Sequence, residues 1–300
     1  MNEYINEFNQ INDLIVKENV PLKKYTTFEV GGPADLFLVP KNGKALKRLT
    51  KIIKKNNSNY FVLGKGSNII VGDKGYRGII IYTGQLNDIQ VLDNKIVAQS
   101  GATLKELSDI ALENSLTGIE FACGIPGSLG GAVFMNAGAY GGEMNNIIKT
   151  ATAVNNKGKE VTFKNEELNL SYRNSIFQDN DYIILKAVIQ LKKGNQQEIK
   201  KQVDTLNKKR EQKQPLEYPS AGSSFKRPEG YYTGPLIEKA NMKGYQIGGA
   251  QVSKKHAGFI INKDNATAED IVNLIKKIQE EVYKISGVEL EPEPKFLGEF

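Results

Sequence analysis

GIEFACGIPGSLGGAVFMNAGAYGG, residues 118–142, decides how this chain is read, because it holds eight glycines, at 118, 124, 127, 130, 131, 138, 141 and 142. Glycine loses more backbone freedom on folding than any other residue, so this density is costly unless the missing side chains serve a purpose. They serve one where backbone must approach a ligand closely, or where several N–H groups point at an anion, as in phosphate-cradling loops. Ser128 and Asn136 add side-chain donors to the same stretch. A tight corner between β elements explains a lone glycine pair but accounts poorly for eight.

A second loop of the same kind, Gly64-Lys65-Gly66-Ser67-Asn68, lies between the strand-like YFVL and the apolar Ile69-Ile70-Val71. Neither loop ends in Gly-Lys-Ser/Thr after a spaced glycine run, and neither follows the GxGxxG spacing. A Walker A site and a Rossmann dinucleotide site are therefore disfavoured. Two separate Gly/Ser/Asn loops suit a long cofactor with a pyrophosphate bridge.

Outward from these loops, residues 44–57 carry Ala45, Leu46, Leu49, Ile52 and Ile53 on one helical face, followed by YFVL at 60–63. From 77 to 101 the short runs GIIIY, IQVL and KIVAQ, separated by turn residues, predict a β-rich section. A helix is predicted over 103–114. Strands KTATAVNN and YIILKAVIQL follow, flanking the turn Asn156-Lys157-Gly158 and the segment SYRNSIF. Lys192-Lys193-Gly194-Asn195 reads as a boundary, where a β-rich section gives way to a polar helix. The last predicted helix starts at Thr267 with Asp270 as a capping box, buries Ile271, Leu274, Ile275, Ile278, Val282 and Ile285, and stops at Gly287.

The chain has 300 residues, 40% of them hydrophobic, enough for two or three packed domains. Its first twenty residues lack the apolar run of a signal peptide, and no membrane span appears, so the expected compartment is the cytoplasm. One cysteine, Cys123, and one histidine, His256, exclude an intrachain disulfide and a Cys- or multi-His metal site. Cys123 beside Gly124 reads as a small core residue. The net charge of +6 favours anionic partners in general. The densest basic stretch, residues 192–213, lacks interleaved aromatics and reads as the solvated face of a helix, so no nucleic-acid partner is expected.

Seven blocks now occur in order: YTTFEVGGPAD (25–35), LGKGSNIIV (63–71), GIPGSLGGAVFMNAGAYGGE (124–143), YRNSIF (172–177), AGSSFKRP (221–228), KGYQIGGAQVSKKHAGFIIN (243–262) and LEPEPKFLG (290–298). Together they resemble the UDP-N-acetylenolpyruvoylglucosamine reductase family of bacterial peptidoglycan synthesis, over nearly the whole chain. The resemblance implies an α+β fold: an FAD-binding region of the vanillyl-alcohol-oxidase type in two subdomains, residues 1–83 joined by 290–300 and residues 84–194. A substrate-binding α/β domain, residues 195–289, completes it. It further implies that NADPH reduces a non-covalent FAD, which reduces UDP-N-acetylenolpyruvoylglucosamine. No histidine lies near the N-terminal loops to attach the flavin covalently.

By the same resemblance the cofactor is held by Tyr25, by Gly64, Lys65, Gly66, Ser67 and Asn68, and by Gly124, Pro126, Gly127, Ser128, Gly130, Asn136, Gly138, Ala139 and Tyr140. Arg173, Ser223 and Glu293 match the catalytic positions. Such a reaction needs a cation or donor at the substrate carboxylate and an acid at the neighbouring carbon. Arg173 offers a fork of donors, Ser223 a proton, and Glu293 an orienting carboxylate. Local sequence alone leaves each open to a plainer reading: a surface arginine, a turn serine after Gly222, an exposed carboxylate between Pro292 and Pro294. Lys213 matches a position that meets the substrate diphosphate. Arg227 and Lys243 are further candidates for that charge, and His256 falls in a substrate-lining block.

The 40 positions from Arg173 to Lys213 (213 − 173) match the shorter variety of the family, without the inserted tyrosine segment that covers substrate in the longer one. Two other readings stay open on sequence: an FAD oxidoreductase of this fold acting on a different substrate, and a binding module without catalysis.

Overall fold

Asn42 accepts the Ala45 N–H at 3.0 Å and so caps a helix that buries Ala45, Leu46, Leu49 and Ile53 on one face, with Ile52 at its edge. That is the face the apolar spacing predicted. The computed structural model describes residues 2–300, with side chains from Ile5 onward. Helix α1 spans Asn2–Asn9, α2 Gly43–Lys55, α3 Leu104–Glu113, α4 Leu129–Phe134, α5 Gln196–Lys213, α6 Thr233–Lys239 and α7 Ala268–Ser286. The chain forms two units: one holds residues up to Glu18 with Leu36–Lys65 and Gly78–Lys209, the other Asn19–Asp35, Gly66–Arg77 and Arg210–Phe300.

In the first unit, the β-rich section becomes a five-stranded antiparallel sheet of order Glu160–Lys164, Ile148–Val154, Ile183–Gln190, Lys95–Gln99, Ile89–Leu92. Strand Tyr60–Leu63 pairs in parallel with Tyr76–Tyr82, from Tyr60↔Ile79 to Leu63↔Tyr82. Two apolar clusters result. One packs α2 against Leu36, Leu38, Ile79, Ile81 and Leu185; the other joins Ile96, Leu104, Leu107, Leu129, Val133 and Ile189. Each fully buried side chain of this size contributes about 1.5–3 kcal/mol by leaving water.

Helix α3 starts on a capping box in which Thr103 Oγ1 accepts the Glu106 N–H at 3.1 Å and Glu106 accepts the Thr103 N–H at 2.8 Å. The Thr103 hydroxyl also donates to the Glu106 carboxylate at 2.6 Å, and this bond with the one from the Thr103 N–H holds the Glu106 carboxyl below the usual carboxylate range. Lys192–Lys193 is a short strand paired with Leu116–Thr117. On α5, Ile199, Val203 and Leu206 are buried while Lys200, Lys201, Lys208 and Lys209 face water. The solvated basic face is thus present, except that Arg210 is buried. Cys123 packs on Val203 and Leu206, and its Sγ donates to Asn207 Oδ1 at 3.2 Å, as suits a core thiol.

In the second unit, α7 opens on the predicted capping box of Thr267 and Asp270. Asp73 adds a second cap, accepting the Ala268 N–H at 2.9 Å on one oxygen and the Glu269 N–H at 3.1 Å on the other. Gly287 ends the helix at φ 67°, a conformation glycine adopts without side-chain cost. Ile271, Leu274, Ile275, Ile278 and Val282 are buried, but Ile285 is 41% exposed. The apolar period runs one turn past the cluster that α7 packs on, so the last isoleucine meets solvent. That cluster includes Phe28, Ile70, Phe225, Val252 and Ile260. A three-stranded antiparallel sheet, Gln246–Ile247, Ala250–Val252 and Ile260–Asn262, and a parallel pair of Lys295–Leu297 with Ile69–Val71 complete the unit.

Candidate active site

The glycine tract is pinned by backbone before it meets any ligand. Leu104 donates to the Gly127 carbonyl at 3.0 Å, Leu129 to the Ala102 carbonyl at 2.8 Å and Gly130 to the Ser100 carbonyl at 2.8 Å. Ser128 caps α4, accepting the Gly131 N–H at 3.4 Å. A Cβ on Gly130 would stand 2.8 Å from Ser100 Cβ, and one on Gly64 would stand 2.4 Å from Ser128 Oγ. The second loop therefore comes within van der Waals reach of the first at Gly64, and both glycines are required by close approach.

Gly141 is required by its φ of +87°, but Gly131 needs another explanation. A Cβ on Gly131 would meet only Ser128 Oγ, at 3.6 Å, and one on Gly141 would meet nothing within 4 Å; both residues are exposed. A helical glycine with room for a methyl costs about 1 kcal/mol relative to alanine. Open space over bare backbone beside Ser128, Gly130 and Gly64 is what a phosphate-bearing cofactor requires, so the residues present fit FAD. Among the described residues no cluster of His, Cys, Asp and Glu has the arrangement to hold a metal ion.

Asn136 ties the tract to the turn that carries Arg173. Its Nδ2 donates to the Ser171 carbonyl at 3.0 Å and its Oδ1 accepts the Asn145 N–H at 2.9 Å. Ser171 and Asn174 bond reciprocally, at 3.3 and 3.1 Å, and Gln178 Nε2 donates to the Arg173 carbonyl at 2.8 Å. Ser175 Oγ and Gln178 Nε2 both donate to the Phe134 carbonyl, at 2.7 and 3.1 Å. Asn136, Tyr140 and Arg173 have φ of 42°, 52° and 56°. Left-handed backbone costs a non-glycine residue roughly 1–2 kcal/mol, and here the surrounding bonds hold it in place. The Arg173 guanidinium lies 5.0 Å above the Tyr172 ring. Gly124, Gly138 and Ala139 are half-buried, and Pro126 and Tyr140 are exposed.

In the second unit, Tyr25 meets the second loop at Gly66, where a Cβ would stand 2.1 Å from the Tyr25 carbonyl oxygen. Gly66 has φ +62°, and its carbonyl accepts the Thr27 N–H at 3.2 Å. Ser67 and Asn68 are half-buried; Asn68 Nδ2 donates to the Glu293 carbonyl at 3.3 Å. The Glu293 N–H donates to the Ser224 carbonyl at 3.1 Å, and Phe225 bridges Pro292. The AGSSF and LEPEP segments thus lie side by side, with the Ser223 side chain exposed and Ser224 buried.

Three of the four substrate candidates share one neighbourhood: Lys213 and Lys243 both act electrostatically on the half-buried His256, as does Glu238. Burial lowers the His256 pKa below its ordinary value, so the ring is neutral at pH 7. Lys243 pairs with Glu238 at 2.8 Å. Arg227 instead sits on its own loop, its Nε donating to the Tyr231 carbonyl at 3.2 Å and its guanidinium 4.0 Å above the Tyr232 ring. Residues that hold the site and that sequence reading missed are Ser100, Ser171, Gln178, Ser224 and Gly258. None of these carried a local signal of its own in residue type.

An FAD binding domain model matches residues 34–164, and a model described as UDP-N-acetylenolpyruvoylglucosamine reductase, C-terminal domain, matches residues 214–297. These matches and the bare-backbone loops define the class: an FAD-binding protein of the vanillyl-alcohol-oxidase type with a distinct C-terminal domain. UDP-N-acetylenolpyruvoylglucosamine reductase of Clostridium novyi (strain NT) is 49% identical over 95% of this chain and 92% of its own length. That of Caldanaerobacter subterraneus is 48% identical over 94% and 93%. The crystal structure of UDP-N-acetylenolpyruvylglucosamine reductase from Thermus caldophilus superposes with a TM-score of 0.83 at 34% identity, covering 95% of this chain and 99% of that one. This chain belongs to the UDP-N-acetylenolpyruvoylglucosamine reductase family.

Proposed function

We propose that the protein reduces UDP-N-acetylenolpyruvoylglucosamine to UDP-N-acetylmuramate with NADPH, in bacterial peptidoglycan synthesis. FAD, when bound, would supply the two-electron hydride chemistry that links NADPH to the vinyl carbon of the enolpyruvyl ether. The loops at residues 64–68 and 124–140, with Tyr25, would hold it. Arg173 pairs with the substrate carboxylate and stabilises the enolate-like charge that hydride addition creates. The Ser223 hydroxyl delivers a proton to the carbon next to that carboxylate, completing saturation of the double bond. Glu293 orients the reacting group. Lys213, with Arg227 and Lys243, carries positive charge for the substrate diphosphate.

The observation that carries this reading is the bond from the Glu293 N–H to the Ser224 carbonyl, which brings the backbone of the proposed orienting carboxylate against the residue that follows the proposed acid. The exposure of the Ser223 hydroxyl suits a group that must reach substrate. No described helix is long and apolar enough to cross a membrane. Cytoplasmic location, NADPH as reductant, the division into 1–83 with 290–300, 84–194 and 195–289, and a substrate-lining place for His256 belong to the same proposal. The test is NADPH oxidation by the FAD-loaded protein with and without the enolpyruvyl substrate. Substrate-dependent oxidation supports the reading, and oxidation indifferent to substrate removes it.

A further inference from the structure

His256 sits in a turn built around Ser253, whose Oγ accepts the N–H of Lys255 at 3.1 Å and of His256 itself at 3.2 Å. The imidazole Nδ1 accepts the Gly258 N–H at 3.0 Å. A ring nitrogen that accepts a backbone N–H carries no proton, so the neutral ring is protonated on Nε2. Gly258 lies against the ring so closely that a Cβ there would stand 3.0 Å from Cε1 and 3.1 Å from Nδ1. The ring also packs edge-on against Phe259, with centroids 5.1 Å apart. One imidazole nitrogen is therefore committed to the backbone.

From Gly258 a chain of backbone bonds continues. Its carbonyl accepts the Ser224 N–H at 2.9 Å, and the Ser224 carbonyl accepts the Glu293 N–H at 3.1 Å. The Ile260 N–H donates to Ser224 Oγ at 2.8 Å, fixing the same residue from its side chain. The Ser224 N–H belongs to the planar peptide that includes the Ser223 carbonyl, so its partner sets the tilt of the Ser223 backbone. Every link is within one unit.

We infer that His256 is a positioning residue for Ser223 and Glu293, acting through Nδ1, the Gly258 backbone and Ser224. The inference rests on the roles proposed above for Ser223 and Glu293. Loss of the Nδ1 acceptor strands the Gly258 N–H, which is buried, and lets the turn shift. Displacement of a reacting group by about 1 Å costs on the order of a hundredfold in rate.

Two substitutions separate the nitrogens. In His256→Asn the side-chain oxygen takes the place of Nδ1 and preserves the acceptor for Gly258; in His256→Gln the longer amide reaches the place of Nε2 and leaves Gly258 without one. The FAD-loaded variants are compared for kcat and KM with the enolpyruvyl substrate, for flavin reduction by NADPH alone, and for Tm. The inference expects the Asn variant to exceed the Gln variant at least tenfold in kcat, with KM of the two within about threefold and flavin reduction by NADPH alike in both.

Gly258→Ala, which presses a methyl on the ring, gives a second reading that does not depend on either replacement folding well: kcat falls and KM holds. A Gln variant equal to or better than the Asn variant, or a change confined to KM, overturns the inference and leaves His256 with its substrate-lining place alone. A wild-type protein that does not turn over removes the functional reading, and this inference with it. A wild type that turns over, with Asn no better than Gln, removes this inference alone.

Discussion

Around Ser128 the first unit is shaped by side chains it lacks, whereas around Ser224 the second unit is shaped by backbone bonds that reach far along the sequence. Gly64 and Gly130 let loops close on each other, and Gly131 and Gly141 leave open space. The backbone bonds that pin residues 127–130 come from residues 100–104, at most 30 positions away (130 − 100). At Ser224, by contrast, Gly258, Ile260 and Glu293 converge from as far as 69 positions away (293 − 224). A cofactor that stays bound needs a surface of amides and little else, while a proton donor needs its angle fixed, and distant segments fix it. The two regions should therefore fail differently.

The largest effect is expected at the second region. Ser223→Ala should slow reoxidation of reduced flavin by the enolpyruvyl substrate by about 10²–10⁴-fold, the usual worth of a positioned acid. Reduction by NADPH should persist, and stopped-flow absorbance follows both steps. In the cradle, Gly130→Ala forces a methyl to within 2.8 Å of Ser100 Cβ and should cost about 1–3 kcal/mol in denaturant unfolding, with loss of FAD. Ser224→Ala strands the buried Ile260 N–H and should cost about 1–2 kcal/mol while lowering kcat and leaving FAD affinity intact.

Gly131→Ala draws the contrast most finely. With room for a methyl and helical backbone, it should raise the stability of the FAD-free protein by about 0.5–1 kcal/mol and yet weaken FAD binding, read by flavin fluorescence. Equal FAD affinity in wild type and variant would remove Gly131 from the cradle.

The smallest effect is in pH. Burial lowers the His256 pKa, so below the unfolded-chain value of 6.5 the unfolded state binds a proton that the folded state resists. The stability linked to this ring is complete above pH 6.5 and is lost as pH falls through the depressed folded value. His256→Asn should flatten that part of the curve, measured by denaturant midpoints between pH 7.5 and about 5.

The glycine tract was legible because its signal is compositional: eight glycines in a short stretch, with Ser128 and Asn136 among them. Helices α2, α3 and α7 were legible because apolar period and capping residues agree, although the period ran one turn too far at Ile285. Arg173, Ser223 and Glu293 stood out only through resemblance, since each has an ordinary surface reading on local sequence. Ser224 and Gly258 had no functional signal at all. Their part comes from backbone N–H and carbonyl groups, which every residue possesses, so nothing in residue type marks them. The left-handed backbone of Arg173 was equally hidden, because an arginine there is held by Gln178 and Asn136 rather than by any preference of its own.

The most direct test of the whole account is the visible spectrum of the purified protein under anaerobic conditions, recorded before NADPH, after NADPH, and after UDP-N-acetylenolpyruvoylglucosamine. The account predicts an oxidised-flavin spectrum that NADPH bleaches and the enolpyruvyl substrate restores. A protein that carries no flavin and takes up none from added FAD contradicts it, and so does one whose bleached flavin the substrate fails to reoxidise.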